Sequence, residues 1–75
     1  MEDLVLYLAE NLVQDPDSVQ VEVRERGRIV DIRLRVARED MGRVIGKGGR
    51  IANSMRSLVR VAALKRGKRA NLEIR

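Results

Sequence analysis

Gly46-Lys47-Gly48-Gly49, followed at once by Arg50, is the stretch whose residue types and spacing point to chemistry. Glycine removes the Cβ that would keep a phosphodiester backbone at a distance. Lys47 and Arg50 add two cations at the same spot. A helix that begins directly after such a turn offers free backbone N–H groups and the positive end of its dipole to an anion. A plain helix–turn–helix corner with Gly46 as its C-cap explains one glycine, but not three with a lysine between them. The chemistry expected is therefore phosphate binding.

Other chemistries find little support. The chain has no cysteine and no histidine, so it offers no disulfide framework, thiol nucleophile, histidine base or usual zinc site. The acids show no close pairing around the basic turn. The turn lacks the G-K-[ST] ending of a Walker A loop, and it follows a helix where a dinucleotide-binding loop follows a strand. The reading is a non-enzymatic binding protein with no metal, no cofactor and no small-molecule substrate.

The charge distribution agrees. The net charge is +5, yet residues 1–40 carry six arginines against ten acids, while residues 41–75 carry ten basic residues against Glu73 alone. Nearly all the positive potential falls in the half that holds the glycine turn, which favours a polyanionic partner over a merely solvated surface. No apolar run approaches the about 20 residues that span a bilayer, and the N-terminus lacks a signal-like apolar core. A soluble, cytoplasmic protein is expected, and the missing cysteines fit a reducing compartment.

The elements that must position the turn follow from periodicity. Leu4, Val5, Leu8, Ala9 and Leu12 recur at helical spacing until Pro16, predicting a helix over about 3–14. Val19, Val21 and Val23 alternate with polar residues, as do Val30, Ile32, Leu34 and Val36, which predicts two antiparallel strands joined at Arg26-Gly27-Arg28. A short helix over 39–45 would turn Met41, Val44 and Ile45 inward. Ile51, Ala52, Met55, Leu58, Val59 and Ala62 then mark a long amphipathic helix ending near Gly67, and Ala70, Leu72 and Ile74 a last strand. The order α-β-β-α-α-β, without linker or repeat, predicts one α+β domain over residues 1–75. Its three-stranded sheet would be covered on one face by three helices.

This order, with the turn at its centre, resembles a K-homology (KH) domain of type II topology, a module whose GXXG loop clamps four nucleotides of backbone. The loop here is Gly46-Lys47-Gly48-Gly49, inside a longer family pattern V-I-G-x-x-G-x-x-I. Ala52 occupies the last position of that pattern, and the isoleucine comes one residue earlier as Ile51. The resemblance covers the whole chain. In size and completeness the chain is similar to the KhpA group, small bacterial cytoplasmic RNA-binding proteins and probable RNA chaperones that pair with themselves or with a larger KH-containing partner, KhpB.

The resemblance implies that nucleic acid lies in a groove between the loop with its two helices and a strand of the sheet. Gly46, Lys47, Gly48 and Gly49 would grip the backbone, with Arg43 and Arg50 beside it. Ile45 would line the groove for bases or, equally, sit in the core. Asn53 and Arg56, off the apolar stripe of the long helix, would reach the strand or face water. Arg33 and Arg35 read as solvated. Tyr7 is the sole aromatic residue, so ring stacking of the kind used by RRM and OB-type domains is not the main source of affinity.

Val61 and Leu64 fall opposite the core stripe of the long helix, near Ser54 and Ser57, and Leu6 and Val13 do the same on the first helix. They are either isolated exposed apolar residues, which are ordinary, or a contact surface for a second copy or a KhpB-like partner, with the serines permitting close approach. Two alternatives stay open: an adaptor that uses the KH fold to bind protein, and a binder of single-stranded DNA.

Overall fold

A computed structural model describes all 75 residues. Helix α1 spans Glu2–Leu12 and is followed by a single 3-10 turn at Pro16–Ser18. Strands β1 (Gln20–Arg26) and β2 (Ile29–Arg35) form a hairpin. A 3-10 turn at Arg38–Asp40 leads into the short helix α2 (Met41–Ile45). The glycine turn, itself a 3-10 turn at Lys47–Gly49, opens into helix α3 (Arg50–Leu64), and strand β3 (Arg69–Ile74) closes the fold. No helix is long and apolar enough to cross a membrane.

The sheet order is β1-β2-β3. β1 pairs antiparallel with β2, and β3 returns parallel to β2 on its other side, with Leu72 opposite Ile32. A parallel return needs a long crossover, and α2, the glycine turn and α3 provide it. The architecture is thus the α+β, α-β-β-α-α-β arrangement expected, with the final strand away from the hairpin connection.

The period of two along β2 sorts its side chains. Val30, Ile32 and Leu34 are buried, while Arg33 and Arg35 are exposed on the other face. Against the buried face pack Val5 and Ala9 of α1, Val44 of α2 and Met55, Val59 and Ala63 of α3. These residues recur one helical turn apart on α1 and α3, which is why a single stripe of each helix meets the sheet. Glu2 and Asp3 in the first turn of α1 complement its dipole.

Three expectations need correction. Leu58 was assigned to the core stripe but is half exposed, and Ala63 takes the buried place that Ala62 only partly fills. The stripe drifts around α3 because 3.6 residues per turn is not a simple integer period. Val13 packs against the core from just beyond α1, where the chain turns extended, so it does not belong to an outer face. Ile45, expected to face inward, is 37% exposed, whereas its neighbour Val44 is fully buried.

Candidate nucleic-acid interface

The glycine turn is held at both ends by the core and left bare between. α2 has only five residues, too few to be stable alone. Val44 anchors it to the core, and Asp40 anchors its start. The Asp40 side chain is buried, accepting the backbone N–H of Gln14 and of Asp15, each at 3.1 Å. Arg43 Nε lies 3.5 Å from the same carboxylate. One buried acid thus ties the end of α1, the start of α2 and one of the expected RNA-contacting cations together. In the sequence Asp40 is only an acid near a helix start. Its partners lie about two dozen residues away, and no local pattern announces them.

At Gly46 the backbone adopts φ 76°, ψ 172°, a region essentially restricted to glycine. A Cβ there would lie 2.7 Å from Cγ1 of Ile51. The loop therefore folds back closely enough for Ile51 to press on the Gly46 backbone. Gly48 (φ 63°) and Gly49 (φ 77°) are left-handed. All three glycines thus serve the chain's own turn, a larger structural role than the sequence suggested. The space outside them is nonetheless clear: nothing lies within 4 Å of a Cβ built on Gly48, and only the Asn53 amide nitrogen, at 3.8 Å, approaches one on Gly49. The turn is neither folded inward nor plugged.

Gly49 is the N-cap of α3, and no side chain caps that helix. Exposed Lys47 and Arg50 flank the uncapped end, and neither forms an ion pair. The N–H groups of Gly49 and Arg50 bond the Gly46 and Lys47 carbonyls within the turn; what the helix start offers an oxyanion is its dipole, a surface poor in side chains and two cations alongside.

Along α3 the site continues toward β3. Arg56 donates from Nε to the carbonyl of Leu72 at 3.3 Å and from Nη1 to Oδ1 of Asn53 at 3.1 Å. Of the two dispositions expected for these residues, Arg56 takes the one that reaches the strand, and Asn53 joins it while staying exposed. β3 is an edge strand whose N–H groups at Arg69 and Arg75 point to the β2 side, toward the carbonyls of Arg28 and Leu34. By alternation, the main-chain groups of Ala70 and Leu72 face outward along the edge. The structure thus lines up Gly46, Lys47, Gly48, Gly49, Asn53 and Arg56 from the turn down to β3, while Arg50, at the helix start, borders the groove between α3 and α1. Ile45 emerges at the end of α2 with its side chain partly in solvent.

The remaining apolar candidates occupy a different face. Val61 and Leu64 are 53% and 68% exposed, and Ser54, Ser57 and the unexpected Leu58 are exposed beside them on α3. A shallow apolar groove runs between α3 and α1, where Ile51, Met55 and Leu58 meet Leu8 and Leu12. Leu6 is half-buried outside the core cluster.

Comparison with known proteins adds a second line of evidence. A family model described as "KhpA/KhpB, KH domain" matches residues 2–74. The chain is 50% identical over 74 residues to a protein of Caldanaerobacter subterraneus subsp. tengcongensis named "RNA-binding protein KhpA", covering 99% of both chains. Proteins of the same name from Clostridium acetobutylicum and Bacillus subtilis are 45% and 36% identical, with 99% of this chain and 99% and 91% of theirs covered. No solved structure matches significantly.

Proposed function

The chain belongs to the KhpA/KhpB family of KH domains, and from that membership we propose that it is a non-enzymatic, cytoplasmic protein that binds single-stranded RNA by its backbone. The observation that carries this reading is the open turn Gly46–Gly49 at the uncapped start of α3, with Lys47 and Arg50 free of ion pairs beside it. The helix start holds a phosphate with its dipole, the two cations neutralise its neighbours, and bases pass toward the border formed by Ile45, Asn53, Arg56 and the edge of β3. Arg43, tethered to Asp40, presents its remaining guanidinium N–H groups from the side of α2. With Tyr7 on α1 as the sole aromatic, affinity rests on the helix dipole, cations and aliphatic contact instead of ring stacking.

A grip of about four nucleotides gives limited affinity, and joining two such sites raises avidity without new contacts. The exposed Leu58, Val61 and Leu64, flanked by Ser54 and Ser57, favour pairing with a second copy or with a KhpB-like protein through the outer face of α3. Such pairing fits a role as RNA chaperone or post-transcriptional regulator.

The test is the double substitution Lys47→Asp/Gly48→Asp. Aspartate tolerates the left-handed backbone at position 48 better than most residues, and no neighbour crowds it. The variant is expected to keep its far-UV circular dichroism and to lose binding to a fluorescent single-stranded RNA. An unchanged Kd rejects the loop's role. Parallel titration with DNA of the same sequence distinguishes RNA from a general single-strand binder.

A further inference from the structure

The three helices leave one face of the sheet uncovered, and its side chains are those that point away from the core. This face carries two arginines from each strand region: Arg24 and Arg26, Arg33 and Arg35, Arg69 and Arg75. Only Glu22, Asp31 and Glu73 oppose them, a side-chain excess of three positive charges. Lysine, which supplies three of the chain's cations, is absent from this face.

The acids are all engaged. Glu22 pairs with Arg24 at 3.1 Å, Asp31 with Arg26 at 2.8 Å, and Glu73 is shared by Arg33 at 3.4 Å and Arg75 at 3.0 Å. Arg35 and Arg69 pair with none. These two unpaired arginines sit at opposite ends of β2, Arg69 beside Ile29 and Arg35 in a corner hollow lined also by Arg33, Arg75, Gln20 and Glu22. There Arg35 stands opposite Gln20 and beside Arg75, whose N–H bonds the Leu34 carbonyl and continues the ladder.

We infer that this open face is a second RNA contact, one that takes the phosphate backbone of another segment of the strand or of a second strand. Three features select that occupant. The planar guanidinium fork matches phosphate oxygens in pairs, which a lysine does not. Exposed ion pairs are weak and readily exchange a carboxylate for a phosphate. A protein partner would need apolar or aromatic anchors, and the only large exposed apolar side chain among these strands is Ile29. The inference rests on the RNA-binding reading above and extends it: the loop would hold one segment on the helical side, and the sheet another on the opposite side of a molecule only 16 Å along its shortest axis.

The experiment uses the full chain, isotope-labelled, carrying the loop substitutions Lys47→Asp/Gly48→Asp, titrated with hexauridylate at low salt and followed by NMR. The amide signals of Gln20, Arg33 and Arg35 are expected to move, and to return when salt is raised from about 50 to 200 mM. Silent face signals in this variant, with loop signals that move in the unmodified protein, overturn the second contact and leave the loop reading standing. Face signals that move in both proteins, with loop signals still in both, support the second contact and remove the loop reading. Polyglutamate of equal charge that moves the same signals at the same concentration assigns the face to acidic proteins and overturns the proposal.

An Arg33→Ala/Arg35→Ala variant supplies the converse, since Glu73 keeps Arg75 as a partner and folding is spared. It is expected to bind a tetranucleotide within twofold of the unmodified protein and a 20-nucleotide RNA at least fivefold more weakly. Equal affinity for the longer RNA rejects the second contact.

Discussion

The carboxylate of buried Asp40 accepts the backbone N–H of Gln14, 26 positions earlier in the chain, at 3.1 Å. Its other oxygen takes Asp15 N–H at the same distance, so a side chain at the start of α2 closes the loop that leaves α1. Asp40→Ala strands two donors in a partly buried place and frees Arg43. A cost of about 3 kcal/mol follows from the penalty for unsatisfied buried groups. That is a large share of the stability of so small a domain. Asp40→Asn restores shape but turns an amide N–H toward a donor, so it recovers only part of the loss. Urea midpoints at constant m-value measure both; a midpoint unchanged in Asp40→Ala refutes the bracing role.

Gly46 and Gly48 sit two residues apart and are expected to respond differently to alanine. Gly46→Ala meets both a backbone region that only glycine occupies readily and Ile51 at 2.7 Å. Strain of that kind costs about 1–3 kcal/mol before any clash is added. Gly48→Ala meets left-handed backbone strain alone, about 1–2 kcal/mol, with open space around it. Urea unfolding ranks the two. Equal losses would mean that Ile51 yields freely and that the close packing of the turn is unimportant.

The difference between those two glycines marks the boundary of what local sequence reveals. Strand positions such as Val30, Ile32 and Leu34 were legible because a period of two leaves one solution for a half-covered sheet. The turn was legible as a bend because three glycines stand between two helix patterns, but the backbone conformations and the close approach of Ile51 that require them were not. Leu58 and Ile45 were misplaced because the edge of an apolar stripe is set by the angle at which a helix meets the sheet, which periodicity does not encode. The role of Asp40 was invisible because its partners are main-chain groups far away in sequence, and for the same reason the bond from Arg56 to the Leu72 carbonyl was legible only as one of two dispositions. Chain alternation does not label a backbone carbonyl as free.

RNA affinity should fall steeply with salt, and its slope reports the phosphates held. For single strands each neutralised phosphate contributes a slope of about −0.7 in log Kobs against log salt. Lys47→Ala and Arg50→Ala are each expected to reduce the slope by about that amount and to weaken unrelated RNA sequences equally. Fluorescence anisotropy across a salt series checks this. A slope identical to that of the unmodified protein excludes the substituted cation from the contact.

Val61→Glu places a charge amid Leu58, Leu64 and the exposed serines of α3 without touching the core. Self-association through that face should drop at least tenfold, because an unpaired carboxylate cannot be buried cheaply against a second apolar surface. Sedimentation equilibrium measures it alongside thermal unfolding, which should be unchanged. An unmodified protein that sediments as a monomer at all accessible concentrations removes the pairing idea for identical copies and leaves only a different partner for this face.

The last bond to test spans the two halves of the charge distribution. Lys68 Nζ donates to the Glu25 carboxylate at 2.6 Å, joining the end of β1 to the segment before β3 across 43 residues of sequence. That hydrogen bond, and then the Lys68 charge, hold the Glu25 carboxyl below its ordinary value of 4.5. Asp31 is lowered likewise by Asn71 and Arg26. A carboxyl with a lower pKa in the folded than in the unfolded chain stabilises the fold above its unfolded pKa, and that contribution disappears as pH falls through the folded pKa. Lys68→Met should therefore raise the Glu25 pKa toward the ordinary value and lower the urea midpoint at pH 7. Well below the folded Glu25 pKa the two proteins should converge, since protonated Glu25 no longer prefers the lysine. Carboxyl NMR titration with unfolding at both pH values decides it: an identical Glu25 titration in the two proteins means the pair is open in solution and ties nothing together.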